Sequence, residues 1–238
     1  MENERQLLQY QLIGPHFNIK TSKEHSPDWY RQIPRDVQMP EATHGDHSHA
    51  GEIVPTVKHC MPFLDGMAGG YMISLEADLD VKIIRGEVKI FTEKAPIFGE
   101  RVPGATDPMP VPLGCIKRHF HWIQQTIVQL PIGYSALYTH PLNRFDLPFV
   151  TLSAIIDDRI KNGNIPFFIK EGFEGVIEKG TPIIQIIPFK RENWESEQVE
   201  HIHTEDCAKH HDAQFHGKHP KMFDDEYRKE RWQKKSFK

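Results

Sequence analysis

The sequence predicts a mainly β protein: a single β-sandwich or β-clip-like domain with an extended N-terminal arm and a partly helical C-terminal tail. Three observations carry this. Residues 56–190 hold most of the β-branched and aromatic side chains, in short alternating runs. Turn signals recur there at roughly ten-residue spacing, as in sandwiches, barrels and jelly rolls. The flanks are polar: residues 1–55 are punctuated by Pro15, Pro27, Pro34, Pro40 and Pro55, and residues 191–238 are charged and His-rich.

In chain order, THGDHSHAGE reads as a loop within the arm. GYMISLEADLDVKII, from Gly70, sets Tyr71, Ile73 and Leu75 against Met72, Ser74 and Glu76, a strand pattern. IIRGEVKIFT predicts a hairpin turning at Arg85 and Gly86. GERVPGATDPMPVPLG is loop, because proline donates nothing to a ladder. HWIQQTIVQLP alternates and is expected as one half-buried strand. IGYSALYTHP, FVTLSAIID and IPFFIK follow as further short strands.

TPIIQIIPF points Ile183, Gln185 and Ile187 one way and Ile184, Ile186 and Pro188 the other. Both faces are mainly apolar, so this strand is expected to be internal and covered on both sides. Gln185 is its polar exception, and a buried amide without partners costs about 1–3 kcal/mol. Gly172, Gly175 and Gly180 mark the turns that lead into it. The terminal FDDEYRKERWQKKSFK reads as a helix capped by Asp224 or Asp225, with its basic residues toward the end. Its aromatics do not share one face, and docking on the protein's own core is their expected use.

Composition excludes several function classes. A formal net charge of −4 over 238 residues gives no argument for nucleic acid or an anionic membrane. No apolar run reaches the ~18 residues of a spanning helix. MENERQLLQYQLIG has no apolar stretch of the secretory kind, so a non-secreted, cytoplasmic protein is expected. Cys60, Cys115 and Cys207 are odd in number and far apart, which fits a reducing compartment better than a disulfide framework.

Two resemblances follow from particular motifs. LPIGYSALY, AIIDD and FFIKEGFEGVIEKGTPIIQIIPF, within residues 121–190, resemble the order of pieces in dUTPases and dCTP deaminases of the β-clip fold. That likeness implies a trimer and a ligand cleft near Asp157, Asp158 and Gln185. The chain departs from the pattern, with no Arg-Ser-Gly segment, no Tyr after the Ile-Asp turn and no glycine-rich closing arm. The departures argue against that family's nucleotide chemistry. TVKHCMPFLDGMAGGYMI, PIGYSALYTHPLNRFDLPF and PFFIKEGFEGVIEKGTPIIQIIPFKR resemble a domain of unknown function from marine T4-like phages and some bacteria. This implies a phage or bacterial source, hence host cytoplasm or virion, and carries no activity.

Histidine is the compositional outlier, with 15 residues. Imidazole and thiolate suit zinc, nickel or copper. His44, His47 and His49 form one cluster, and His201, His203, Cys207, His210 and His211 another. On an extended chain His201 and His203 share a face; on a helix Cys207 and His211 do. Neither cluster has a standard structural zinc spacing, and solvated polar segments are the ordinary alternative. His119 and His121 point to one face of a strand, as a cupin-type site requires, with His140, Asp157 or Glu174 as the groups to recruit; the ordinary alternative, and the expected one, is an exposed face of an edge strand. Cys60 beside His59 is expected to be structural and buried rather than a nucleophile, and Asp157–Asp158 an ordinary strand-end turn rather than a pair that coordinates a divalent cation or activates water. No cofactor is expected, with a divalent metal at the histidines as the alternative.

The leading functional expectation is a non-enzymatic phage-type accessory or structural protein that works through assembly, as a homo-oligomer or with a virion or host protein. The alternatives are a dUTPase-like nucleotide or small-ligand protein and a cupin-type metal protein.

Overall fold

The computed structural model of the chain describes residues 6–40, 51–93, 97–102, 104, 108–123, 125–157, 159–161, 164–198 and 227–238. The chain divides into two compact units, one of Met1–Ser26, Met67–Arg191 and Phe237–Lys238, the other of Pro27–Gly66 and Glu192–Ser236. The fold is mainly β.

The strands are β1 (Gln9–Leu12), β2 (Phe17–Thr21), β3 (Asp36–Gln38), β4 (Ile53–Pro55), β5 (Tyr71–Leu75) and β6 (Leu79–Ile84). They continue as β7 (Glu87–Phe91), β8 (Phe98–Glu100), β9 (Cys115–Ile123), β10 (Thr126–Gln129), β11 (Tyr134–Thr139) and β12 (Phe149–Thr151). The last are β13 (Ala154–Asp157), β14 (Arg159–Lys161), β15 (Asn164–Lys170), β16 (Gly175–Ile177) and β17 (Pro182–Lys190).

The first unit holds a five-stranded sheet ordered β13-β11-β17-β5-β2 and a four-stranded sheet ordered β12-β15-β9-β8. Three-stranded sheets β1-β10-β14 and β16-β6-β7 complete it. As its two-faced apolar pattern predicts, β17 lies inside, between β11 and β5, with Ile183, Ile184 and Ile186 fully buried. Opposite, Trp122 of β9 stacks on Phe167 of β15 with ring centroids 3.7 Å apart. Phe120 and Phe149 pack around the same Phe167 ring. A hydrogen-bond relay joins the two large sheets. The Trp122 indole N–H donates to Thr151 Oγ1 at 3.1 Å, and that hydroxyl donates to the Ile183 carbonyl at 2.8 Å. Two sheets thus share one core, the sandwich arrangement.

Two glycines are required by geometry. At Gly70 φ is 73°, and a Cβ there would lie 2.0 Å from the Ile186 carbonyl oxygen of β17. Gly86 and Arg85, at φ 79° and 54°, make the predicted two-residue turn between β6 and β7.

HWIQQTIVQLP is two strands rather than one. Its first residues end β9, whereas Thr126–Gln129 form β10 in another sheet. Trp122, Thr126 and Val128 are all buried, so the alternation holds across the break. Alternation reports which side chains face inward, not which ladder their backbone joins. The polar N-terminal stretch also contributes strands. β2 pairs along β5 and buries Phe17 and Ile19, and β1 pairs with β10.

The second unit contains the short helix α1 (Asp28–Gln32), the pair β3–β4 and most of α2 (Met61–Ala68). Tyr30 packs on Phe63, and the Lys58 ammonium lies 5.5 Å over the Tyr30 ring while donating to the Arg31 carbonyl. Asp65 accepts from the Trp232 indole N–H at 2.9 Å and from Lys235 at 2.7 Å. The described part of the expected terminal helix is one π-helical turn, Tyr227–Arg231, followed by residues without regular secondary structure; Asp224 and Asp225 lie outside the described residues. In the first unit Phe237 packs edge-on against Tyr71. Trp232 and Phe237 therefore bind the protein's own chain, as expected.

The relay gives a direct test. Thr151→Val keeps shape and volume but leaves the Trp122 N–H and the Ile183 carbonyl unpaired in the core. The expected loss is about 2–6 kcal/mol, from two buried groups at about 1–3 kcal/mol each. Urea unfolding of the variant beside the parent measures it.

Candidate functional site

The chain leaving β11 reads THPLNRFDLPF. Pro141 and Pro148 withhold backbone donors, and Asn143 sits at φ 61°, so residues 140–148 form a loop. Interior polar bonds fix its shape. Leu142 N–H donates to Gln185 Oε1 at 2.8 Å, and Gln185 Nε2 donates to the Gly69 carbonyl at 2.7 Å. The fully buried amide thus finds partners at both ends. His140 accepts at Nδ1 from Thr151 N–H, 3.4 Å away, which leaves Nε2–H to donate to the Arg144 carbonyl at 3.1 Å. Burial holds the His140 pKa below its ordinary value, so the neutral ring that this pairing needs is the favoured one.

Arg144 is only 9 % exposed, yet its charge is met. Its Nε and Nη2 each donate to Asp146 at 2.9 Å, a two-pronged pair, and Nη1 donates to the His25 carbonyl at 3.3 Å. Lys170 donates to the Phe145 carbonyl. One wall of an open groove is thereby set. Residues 146–148 face residues 170–173 and 176–178 across a cavity of about 530 Å³. Val176 in the groove is 52 % exposed, and Phe145 beside it 80 %.

The side chains singled out from sequence do not converge on this groove. Gln185 is interior. Asp157 accepts from Ser135 Oγ at 2.5 Å and lies 3.5 Å from the Arg191 guanidinium. On β11, Ser135 pairs with Asp157 and Thr139 with Gln185. The two predicted cleft residues are therefore separated by four strand positions, about 13 Å. Asp158, His201, His203, Cys207, His210 and His211 lie outside the described residues, as do His44, His47 and His49.

His119 and His121 do share a face of β9, but β9 is an inner strand, between β15 and β8. His119 is buried with its ring against Phe168, 5.3 Å between centroids. The His121 ring lies over Gly99, where a Cβ would come within 2.4 Å of it. Burial and then the Arg101 charge lower both pKa values, keeping the imidazoles neutral. The groups named for recruitment are used elsewhere: His140 in the loop, Asp157 with Ser135, and Glu174 accepting from Ile83 N–H at 3.3 Å. Among the described residues no three His, Cys, Asp or Glu side chains are grouped to hold a metal ion. Cys60 is half-buried, and its N–H caps the Val57 carbonyl.

The Arg144–Asp146 pair and the groove were missed from sequence. The available signal was N-R-F-D between two prolines, which places a cation and an anion two residues apart on a rigid loop. Comparison with protein-family models, curated proteins and solved structures finds no match for the chain.

Stability should fall on mild acidification. Burial is the first cause that lowers the pKa of His25, His119, His121 and His140 below 6.5. Each folded side chain binds a proton less readily than the unfolded chain does. Its contribution is complete above about pH 6.5 and is lost as pH falls from there toward the lowered folded value. Urea midpoints at pH 7.5 and 5.5 should show lower stability at 5.5. His140→Gln should reduce the difference between them.

Proposed function

We propose that this protein is a non-enzymatic accessory or structural component of phage type that works by assembly, beginning with association of its own copies. The observation that carries this reading is the surface of β1. Among the described residues that strand is an edge of its sheet, and every one of its residues is exposed. Tyr10 is 49 % exposed and Leu12 42 %, with Leu7 and Ile13 beside the strand at 66 % and 51 %. An apolar edge strand with unpaired backbone is a template for another chain. β13, an edge of the five-stranded sheet, adds Ile155 at 67 % exposure. The side chains best equipped for chemistry make bracing bonds: Gln185, His140, Arg144 and Asp146 around the loop, and Asp157 with Ser135. No helix among the described residues is long and apolar enough to cross a membrane.

Light scattering on the full-length protein at tens of micromolar tests the reading. The expected mass is a multiple of the chain, with the trimer implied by the β-clip likeness as the first stoichiometry to fit. Tyr10→Lys combined with Leu12→Lys should return it to monomer with its melting temperature held within a few degrees. A monomeric parent protein would sink the reading, as would magnesium-dependent release of pyrophosphate from dUTP that Asp157→Ala abolishes.

A further inference from the structure

The groove beside loop 140–148 has the properties of a recognition site for an extended chain. Among the described residues β16 pairs only with β6, so its other edge has no strand partner. Val176 and Ile177 of that strand line the groove, and Leu147, Pro148 and Phe173 supply the apolar side opposite. A volume of about 530 Å³ accommodates several side chains.

Its lining is net negative. The lining carries three carboxylates, Asp146, Glu171 and Glu178, and one cation, Lys170. Asp146 is matched by Arg144, and the Lys170 ammonium is held by the Phe145 carbonyl. Glu171 and Glu178 are exposed, and neither carboxylate has a cation partner among the described residues.

We propose that this groove binds an extended segment of a partner protein in which basic side chains alternate with apolar ones, added as a further strand on the free edge of β16. Backbone bonds to β16 supply affinity. Side chains on one face of the segment fill the apolar cavity, and the basic ones on the other meet Glu171 and Glu178. A small amine would use neither the strand edge nor the apolar wall, and an acidic segment would be repelled. The site is separate from β1 and does not depend on self-association there.

The probe is the fluorescein-labelled peptide Thr-Lys-Val-Lys-Phe-Arg-Val-Thr, titrated with full-length protein and followed by anisotropy. Saturable binding is expected. It should weaken at least tenfold with Glu171→Lys combined with Glu178→Lys, both on exposed turns where folding is not at stake. Similar weakening is expected for a probe with Glu at its basic positions, and for one N-methylated at alternate residues. Tyr10→Lys with Leu12→Lys should leave binding unchanged, which separates this site from the assembly edge. Absence of saturable binding would overturn the proposal. So would equal affinity for the N-methylated probe, indifference to the charge reversals, or full displacement by equimolar spermine.

Discussion

The carboxamide of Gln185 cannot be left unsatisfied, and much of the first unit is arranged around that constraint. It sits fully buried in the middle of β17, itself the middle strand of the five-stranded sheet. Its oxygen holds Leu142, at the start of the loop after β11, and its nitrogen holds Gly69, just before β5. One amide therefore fixes the segment leaving one neighbouring strand, β11, and the segment entering the other, β5. Gly70 allows the close approach on the β5 side, where a side chain would strike the β17 backbone. An apolar residue at this position would suit the core, but it would leave a buried donor and a buried acceptor without partners.

The same constraint reaches the surface through the loop. Once Leu142 is held, His140 and Arg144 lie close enough to bond each other through ring and carbonyl, and Arg144 then secures Asp146. Lys170 ties the loop to the end of β15. The groove wall is rigid because its polar groups are consumed in making it. Its neutral histidine and compensated arginine are products of burial: an unpaired charge there would cost several kcal/mol. What remains free for recognition is what the bracing does not use, namely the β16 edge, the apolar lining, Glu171 and Glu178.

The proposed assembly and the proposed groove recognition draw on one property of open sheets. A sandwich built from sheets that do not close has edge strands, and each edge must be blunted, covered or used. The edge at β1 carries exposed apolar side chains and favours a like surface. The edge at β16 lies beside carboxylates and favours a basic chain. The difference in charge separates the two proposed partners.

Several features were determined by the sequence alone. The alternation of short apolar runs set the β class, the Arg85–Gly86 pair set a hairpin, and the two-faced pattern of TPIIQIIPF set β17 in the interior. These are local properties, decided by side-chain period and by which residues tolerate positive φ. Gln185 was legible as a buried amide in need of partners, but not which partners, since Leu142 and Gly69 are 43 and 116 residues away. Asp157 and Gln185 looked like neighbours in one cleft, yet strand register holds them apart. His119 and His121 kept their common face, but His119 is buried against the Phe168 ring and His121 is half-buried over Gly99. The polar arm hid β1 and β2, whose pairing depends on backbone groups that composition does not reveal. Only the tertiary structure decided the ladders, the loop network and the groove. Each arises from contacts between residues distant in the chain, and a residue's type records its need for a partner without recording where in the chain that partner lies.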